Sequence, residues 1–230
     1  MRAWRGWCLA SVVVALVLTA MRGSPEAGGR GPTSRDLDLI TTSASGNAAR
    51  AKRLLVAGAS VRAADARGVT ALIAAAYGNH VHVARMLIEA GADVNVQDQT
   101  RQSAFLIATS EGYVELLRLA LEAGADVRRT DSYDGTGLIR AAHHGHAEVV
   151  RELLRAKCPV DHVNRLGWTA LLEAIVLGDG GPRHTETVRL LVEAGADVNL
   201  ADGGGVTPLA HARQRGQTRI VEILERAGAK

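Results

Sequence analysis

The amino-acid sequence predicts an all-α solenoid of stacked helix-turn-helix units, and three observations lead to it. Self-similarity recurs at a period of 33 residues: DARGVTALIAAAYGNHVHVARMLIEAGADVNVQ from Asp65 is followed by DQTRQSAFLIATSEGYVELLRLALEAGADVRRT from Asp98. A period of that length marks units that cannot bury their apolar faces alone and stack in order to do so. Within each unit, short Ala- and Leu-rich segments at helical spacing alternate with glycine-containing turns. Aromatic residues are only 3% of the chain, with a single Phe, so the core has to come from small aliphatic side chains in close helical layers.

Taken in chain order, residues 1–23 open with a short basic stretch and continue as an apolar run from Trp7 to Met21. That run is shorter than the roughly 20 residues of a spanning helix, and a secretory signal peptide is the expectation, with the protein periplasmic or secreted. An anchor over residues 7–21, which would put the protein on a membrane, is the alternative, because Leu18 stands where a small residue favours cleavage after Ala20. Residues 24–35, which include SPEAGGRGP, read as a flexible linker. Once the first segment is cut, Cys158 is the only cysteine, so stability has to come from packing without an internal disulfide.

The repeat region covers residues 36–230, in units of about 36–64, 65–97, 98–130, 131–163, 164–201 and 202–230. Thr70, Ser103, Thr136, Thr169 and Thr207 stand at one place in successive units, each as the N-cap of a first helix. A polar turn such as GNH, EGY, HGH or RGQ leads to a second helix with aliphatic residues at helical spacing. Gly58, Gly91, Gly124, Gly195 and Gly228 then end that helix with a left-handed residue, and Lys157 takes the same place in the unit from Asp131. The unit from Asn164 has five extra residues, which alignment of its two ends puts in LGDGGPRH as a loop between its helices. Polar segments at both ends, TTSAS with Asn47, Arg50, Lys52 and Arg53, and HARQRGQTRIVEILERAGAK, lead to the expectation of a stack complete with its two outer caps.

These residues closely resemble the ankyrin repeat, with its T-P-L-H opening, G-H turn and G-A-D-V-N ending, over about 195 of the 230 residues. The resemblance implies a solenoid of paired helices with short β-hairpin tips. It also implies a non-catalytic scaffold that binds a protein partner through the tips and first helices. Two departures stand out. The opening Pro survives only at Pro208, and the His of the fourth position is replaced by Ile73, Leu106, Ile139, Leu172 and Ala210, so the hydrogen bonds of that His are not expected.

Charge placement bears on the partner. The first 23 residues hold three arginines and no acid, and without them 24 basic residues face 24 acidic ones, so a nucleic acid is not the expected ligand. Positions not consumed by packing are the tips and the ends of the first helices. They supply Arg67 and Tyr77, Gln99, Gln102 and Glu111, Tyr133, His143 and His144, and Arg165 and Trp168 as partner-binding residues. Tyr, Trp and Arg often carry interface energy, and Trp168 beside the five-residue insertion is expected to be the energetic centre. No cofactor is expected, and the chain is expected to be a monomer.

The alternative function is a metal-binding or hydrolytic one at His143-His144-Gly145-His146, since imidazole ligates metals and titrates near neutrality. Adjacent His143 and His144 lack the i, i+4 spacing of a helical metal pair, however, and His146 stands at the G-H position, where a bond to a neighbouring loop is expected. Cys158 reads as a small buried residue. The clusters GDGG and DGGG lack the strand-to-helix setting of a phosphate loop.

Overall fold

The computed structural model describes residues 31–230, and the segments read as export signal and as linker residues 24–30 lie outside them. Each unit folds as a pair of antiparallel helices. The pairs are α1 (Ser34–Ala44) with α2 (Ala48–Val56), α3 (Ala71–Tyr77) with α4 (Val81–Glu89), and α5 (Ala104–Glu111) with α6 (Val114–Glu122). They continue as α7 (Gly137–His143) with α8 (Ala147–Arg155), α9 (Ala170–Val176) with α10 (Pro182–Glu193), and α11 (Pro208–Gln214) with α12 (Thr218–Arg226). First helices pack on first helices and second helices on second helices, giving two layers.

The hydroxyl at the head of each first helix is the cap that the sequence predicts. Thr70, Ser103, Thr136, Thr169 and Thr207 accept from the backbone N–H groups of Ile73, Leu106, Ile139, Leu172 and Ala210 at 3.2 to 3.4 Å. Each bond satisfies one of the donors that a helix start leaves free. In the first unit, Thr33 and Asp36 cap one another reciprocally, so α1 starts at Ser34, inside the stretch read as linker.

Between the layers lies a continuous aliphatic core that includes Leu39, Leu72, Leu87, Leu106, Leu117, Leu138, Leu153, Leu171, Leu191 and Leu209, all nearly or fully buried. Among the described residues the one fully buried aromatic ring is that of Phe105, and Gly137 makes room for it. A β-carbon at Gly137 would meet Thr109 Cγ2 at 2.9 Å and Phe105 Cζ at 3.0 Å. Neighbouring units have Ala71, Ala104 and Ala170 at that place, opposite smaller side chains.

From the second unit on, the first residue of each unit holds its tip. Asp65 Oδ1 accepts from the N–H groups of Arg67 and Val69 at 2.8 and 2.9 Å, and Asp98 Oδ1 from Thr100 and Gln102 at 2.8 and 3.0 Å. Asp131 does the same for Tyr133 and Gly135, Asn164 for Leu166 and Trp168, and Asp202 for Gly204 and Val206. This is the local acceptor that Asp and Asn offer a turn. It also explains why the expected β-hairpins are reduced to turns: the side-chain oxygen takes N–H groups a strand ladder would use. Strand pairing among the described residues is limited to isolated bridges of Ala64 with Thr70 and of Thr130 with Thr136.

The insertion of the fifth unit also differs from the expected free loop. Part of it lengthens α10, which starts at Pro182 and runs 12 residues against 9 for α8. The remainder is pinned: Asp179 Oδ1 accepts from Gly181 N at 2.8 Å and pairs with His184 Nδ1 at 2.8 Å, while His184 Nε2 donates to the His143 carbonyl at 3.0 Å.

The outward side of the second helices carries an ion ladder. Arg118 of α6 meets Glu148 and Glu152 of α8, Arg151 of α8 meets Glu186 of α10, and Arg189 continues from Glu186 to Glu193. After the second helices, Gly58, Gly91, Gly124, Gly195 and Gly228 have φ between 85° and 89°, and Lys157 has φ 58° in their place. No atom lies within 4 Å of a β-carbon built on any of those five glycines, so the penalty at Lys157 is one of backbone conformation rather than of space. Lys157→Gly should raise the melting midpoint, by a gain of roughly 0.5–1 kcal/mol partly offset by the looser unfolded chain. A midpoint that stays or drops in thermal unfolding would contradict this.

Candidate functional site

Two clefts open between the first helices and the tips. The larger, about 580 Å³, is lined by Leu37, Ile40 and Ala44 of α1, by Ala74 and Tyr77 of α3, and by tip residues Asp65, Arg67 and Thr100, among others. The smaller, about 160 Å³, lies between the fourth and fifth units and is bounded by Asp131, Tyr133, Arg140, His143, Asn164, Leu166, Glu173 and Leu177. Of the large apolar side chains exposed among the described residues, Leu37, Tyr77, Tyr133, Leu166 and Leu177 line these clefts. Only Val56 and Val163 do not.

The tenth residue of each unit decides what kind of cleft forms. It sits on the first helix, facing back to the tip residue that opens the unit. In the fourth unit Arg140 pairs with Asp131 Oδ2 at 3.2 Å and donates to Ser110 Oγ at 2.9 Å. In the last unit His211 pairs with Asp202 Oδ2 at 2.8 Å. The fifth unit reverses the polarity: Glu173 accepts from Asn164 Nδ2 at 2.8 Å, and an amide rather than a carboxylate opens that unit. The second unit has Ala74 at this place, and the room it leaves belongs to the larger cleft.

Glu173 is the unusual group. It is 4% exposed, and its Oε2 is buried without a hydrogen-bond partner. His143 Nδ1 lies 3.3 Å from that oxygen but out of hydrogen-bonding line. Burial pushes the Glu173 carboxyl up from its ordinary value, partly offset by the Asn164 bond, while burial and then the Arg140 guanidinium push His143 down. Burial thus favours the neutral form of each group and weakens their attraction. In the larger cleft the Tyr77 phenol is raised by burial and by the Asp98 carboxylate.

Comparison with known proteins identifies the architecture. The family model for ankyrin repeats (3 copies) matches residues 39–131, 105–202 and 138–230. The chain belongs to the ankyrin-repeat family. It is 53% identical over 66 residues to the ankyrin repeat protein YahD of Escherichia coli (strain K12), a match that spans 29% of this chain and a third of YahD. Among solved structures it is similar to an ankyrin repeat domain, ABAYE2397, of Acinetobacter baumannii AYE, with a TM-score of 0.81 and 48% identity over 84% of this chain and 98% of that one. It is also similar to the ankyrin repeat protein EF0377, with a TM-score of 0.80 and 33% identity over 86% of this chain and all of the other. The human ASB11 ankyrin repeat domain has a TM-score of 0.71 at 27% identity, covering 84% of each chain.

On this ankyrin scaffold the residues expected to bind a partner divide into two groups. Arg67 and Tyr77 meet in the larger cleft, and Tyr133 and His143 in the smaller. The others line neither. Gln99 ties neighbouring tips together by donating to the Ala66 carbonyl at 2.8 Å, and Gln102 is half-buried within its own tip bracket. Arg165 pairs with Asp134 at 3.3 Å, while Glu111 is exposed at the end of α5 and His144 ends α7 with its ring packed against those of His143 and His146. Trp168 is half-buried, its backbone N–H bound to Asn164 Oδ1 and its carbonyl accepting from Asn164 N as the matching residue does in the other tips, while Leu166 and Leu177 of the same repeat are exposed at the smaller cleft. Sequence reading passed over Ala74, Arg140 and Glu173. The signal was present: a charged residue inside an otherwise apolar short helix, as in LIRAA and LLEAI.

The histidine turn has other duties. His146 Nε2 donates to the Ser110 carbonyl at 3.0 Å, and His80, His184 and Gln217 make the equivalent bond to the preceding ankyrin repeat, at 3.0 Å each. Among the described residues no three His, Cys, Asp or Glu side chains are placed to hold a metal ion. Cys158 is buried against the Val127 carbonyl, and burial pushes its thiol up to about 11, away from nucleophilic use.

Burial and the neighbours His143 and His146 push His144 down to about 4, and His143 and His146 are lowered too, burial being the largest cause in each. Groups depressed in the folded state leave the unfolded chain to take up protons first as pH falls below about 6.5, so stability present above that pH is lost on the way toward 4. The parent's melting midpoint should drop between pH 7 and pH 5, above the range where the carboxylates titrate, and His144→Gln should drop less. Parallel curves for the two proteins would contradict this.

Proposed function

We propose that the chain is a non-catalytic scaffold acting outside the cytoplasm, and that it grips a segment of another protein along the face where tips and first helices meet. Ankyrin-repeat solenoids are protein-interaction scaffolds, and one observation carries the finer reading. Exposed large apolar side chains are concentrated at the two clefts, while the outward side of α6, α8 and α10 is taken up by an ion ladder. Exposed apolar and aromatic groups gathered beside satisfied polar ones fit a protein-binding surface. Location outside the cytoplasm rests on the basic start and the apolar run before residue 24.

With a partner isolated from the envelope fraction of the source organism, Tyr133→Ala and Leu166→Ala should each weaken affinity by about tenfold in calorimetry. Val56→Ala, whose side chain is 83% exposed but outside both clefts, should leave it unchanged. Equal effects at all three positions would remove the clefts from the account. For the export reading, the mature protein should begin near residues 21–24. An intact Met1 on a membrane fraction would favour an anchor instead.

A further inference from the structure

The smaller cleft carries a deficit that the scaffold itself does not fill. Glu173 Oε2 is buried and accepts no hydrogen bond, His143 Nδ1 lying 3.3 Å away but out of line, yet its residue bounds an open space. Around it the charges are two carboxylates, Asp131 and Glu173, against one guanidinium, Arg140, and that guanidinium is already committed to Asp131 and Ser110. Asn164 spends its amide on the other oxygen, Oε1. A buried charge left without a partner is costly, which makes this oxygen the place where an incoming cation gains most.

The walls above it are of another kind. Tyr133, Leu166 and Leu177 are 59%, 52% and 44% exposed and form an apolar collar over the polar floor. An occupant matched to both has an apolar stem and one positive end, because long basic side chains pack their methylenes on apolar surface while the charged head seeks a counter-ion. A free metal ion would leave the collar unused, and an acidic or purely aliphatic side chain would leave Glu173 unpaired.

We propose that the cleft between the fourth and fifth repeats is the anchor pocket for one basic side chain, lysine or arginine, of the bound protein, with its cationic head on Glu173 Oε2 and its stem against Tyr133, Leu166 and Leu177. This rests on the scaffold reading above and gives it a recognition rule: the partner segment presents a basic residue at this point. The raised carboxyl of Glu173 agrees with it, since a bound cation supplies what burial has removed.

The test uses the full chain and small probes, so it needs no identified partner. N-acetyl-lysine methylamide, and its arginine counterpart, titrated into labelled protein should give saturable amide shifts confined to residues around 133, 166 and 173. The norleucine counterpart, equal in stem but without the charge, should give none there. Glu173→Gln keeps the shape and the bond from Asn164, and it should weaken lysine-probe binding about tenfold or more, the loss of one charge-assisted hydrogen bond. Its thermal midpoint, read alongside, shows that the fold is kept. Norleucine binding equally well, shifts elsewhere, or indifference to Glu173→Gln would overturn the proposal. If the probes fail while Leu166→Ala still weakens an isolated partner, the anchor pocket falls and the scaffold reading stands.

Discussion

One side-chain oxygen in each of the last five units organises this molecule. Asp65, Asp98, Asp131, Asn164 and Asp202 each fold their own tip around Oδ1 by taking two backbone N–H groups. A turn so bracketed has its polar backbone satisfied locally, and consecutive tips can then be tied to one another. Gln99 N donates to the Arg67 carbonyl, and Arg165 N to the Tyr133 carbonyl. Tips held this way fix where the first helices begin, because the capping hydroxyl follows five residues after the bracket. The clefts are the space left between two things that the bracket positions.

The same residue also sets the character of each cleft through its second side-chain atom. Where the tenth residue is a hydrogen-bonding partner, as at Arg140 or His211, the second oxygen of the bracket carboxylate is paired in place. Where it is Glu173, the bracket changes to Asn164, since two carboxylates at that distance would repel. Where it is Ala74, the helix offers no partner, Asp65 Oδ2 pairs with Arg67 of its own tip instead, and the cleft is wide. Variation at this one position thus changes the clefts without disturbing the core, because each repeat packs only on its neighbours. Between repeats, a second set of bonds from His80, His146, His184 and Gln217 to the preceding first helix secures the stack.

The repeating part of this design was legible in the sequence. Thr70, Ser103, Thr136, Thr169 and Thr207 signal helix starts because only a small hydroxyl at a fixed offset caps repeatedly, and the glycines after the second helices signal left-handed ends, with Lys157 sharing that conformation. Tyr77 and Tyr133 were readable as exposed, since neither fits the small-residue core. What a single unit does differently was harder to read. Trp168 and Arg165 look like interface residues by type, but their backbone and side-chain partners at Asn164 and Asp134 come from the geometry of the tip. Glu173 looks like an ordinary helix-surface charge until the adjacent repeat covers it. The insertion reads as a loop between the helices, but part of it lengthens α10, and the rest is pinned by Asp179 and His184, whose ring meets the His143 carbonyl, a contact across repeats.

The claim that one oxygen organises each tip is tested most directly by amide hydrogen exchange at Asp98, where no charged tenth residue complicates the result. Asp98→Asn keeps Oδ1, as Asn164 does in its own unit, whereas Asp98→Ala removes it. The account predicts that the Thr100 and Gln102 amides stay protected in the Asn variant and exchange freely in the Ala variant, with a loss of about 1–3 kcal/mol in stability for Ala alone. Equal protection of those two amides in both variants would contradict it.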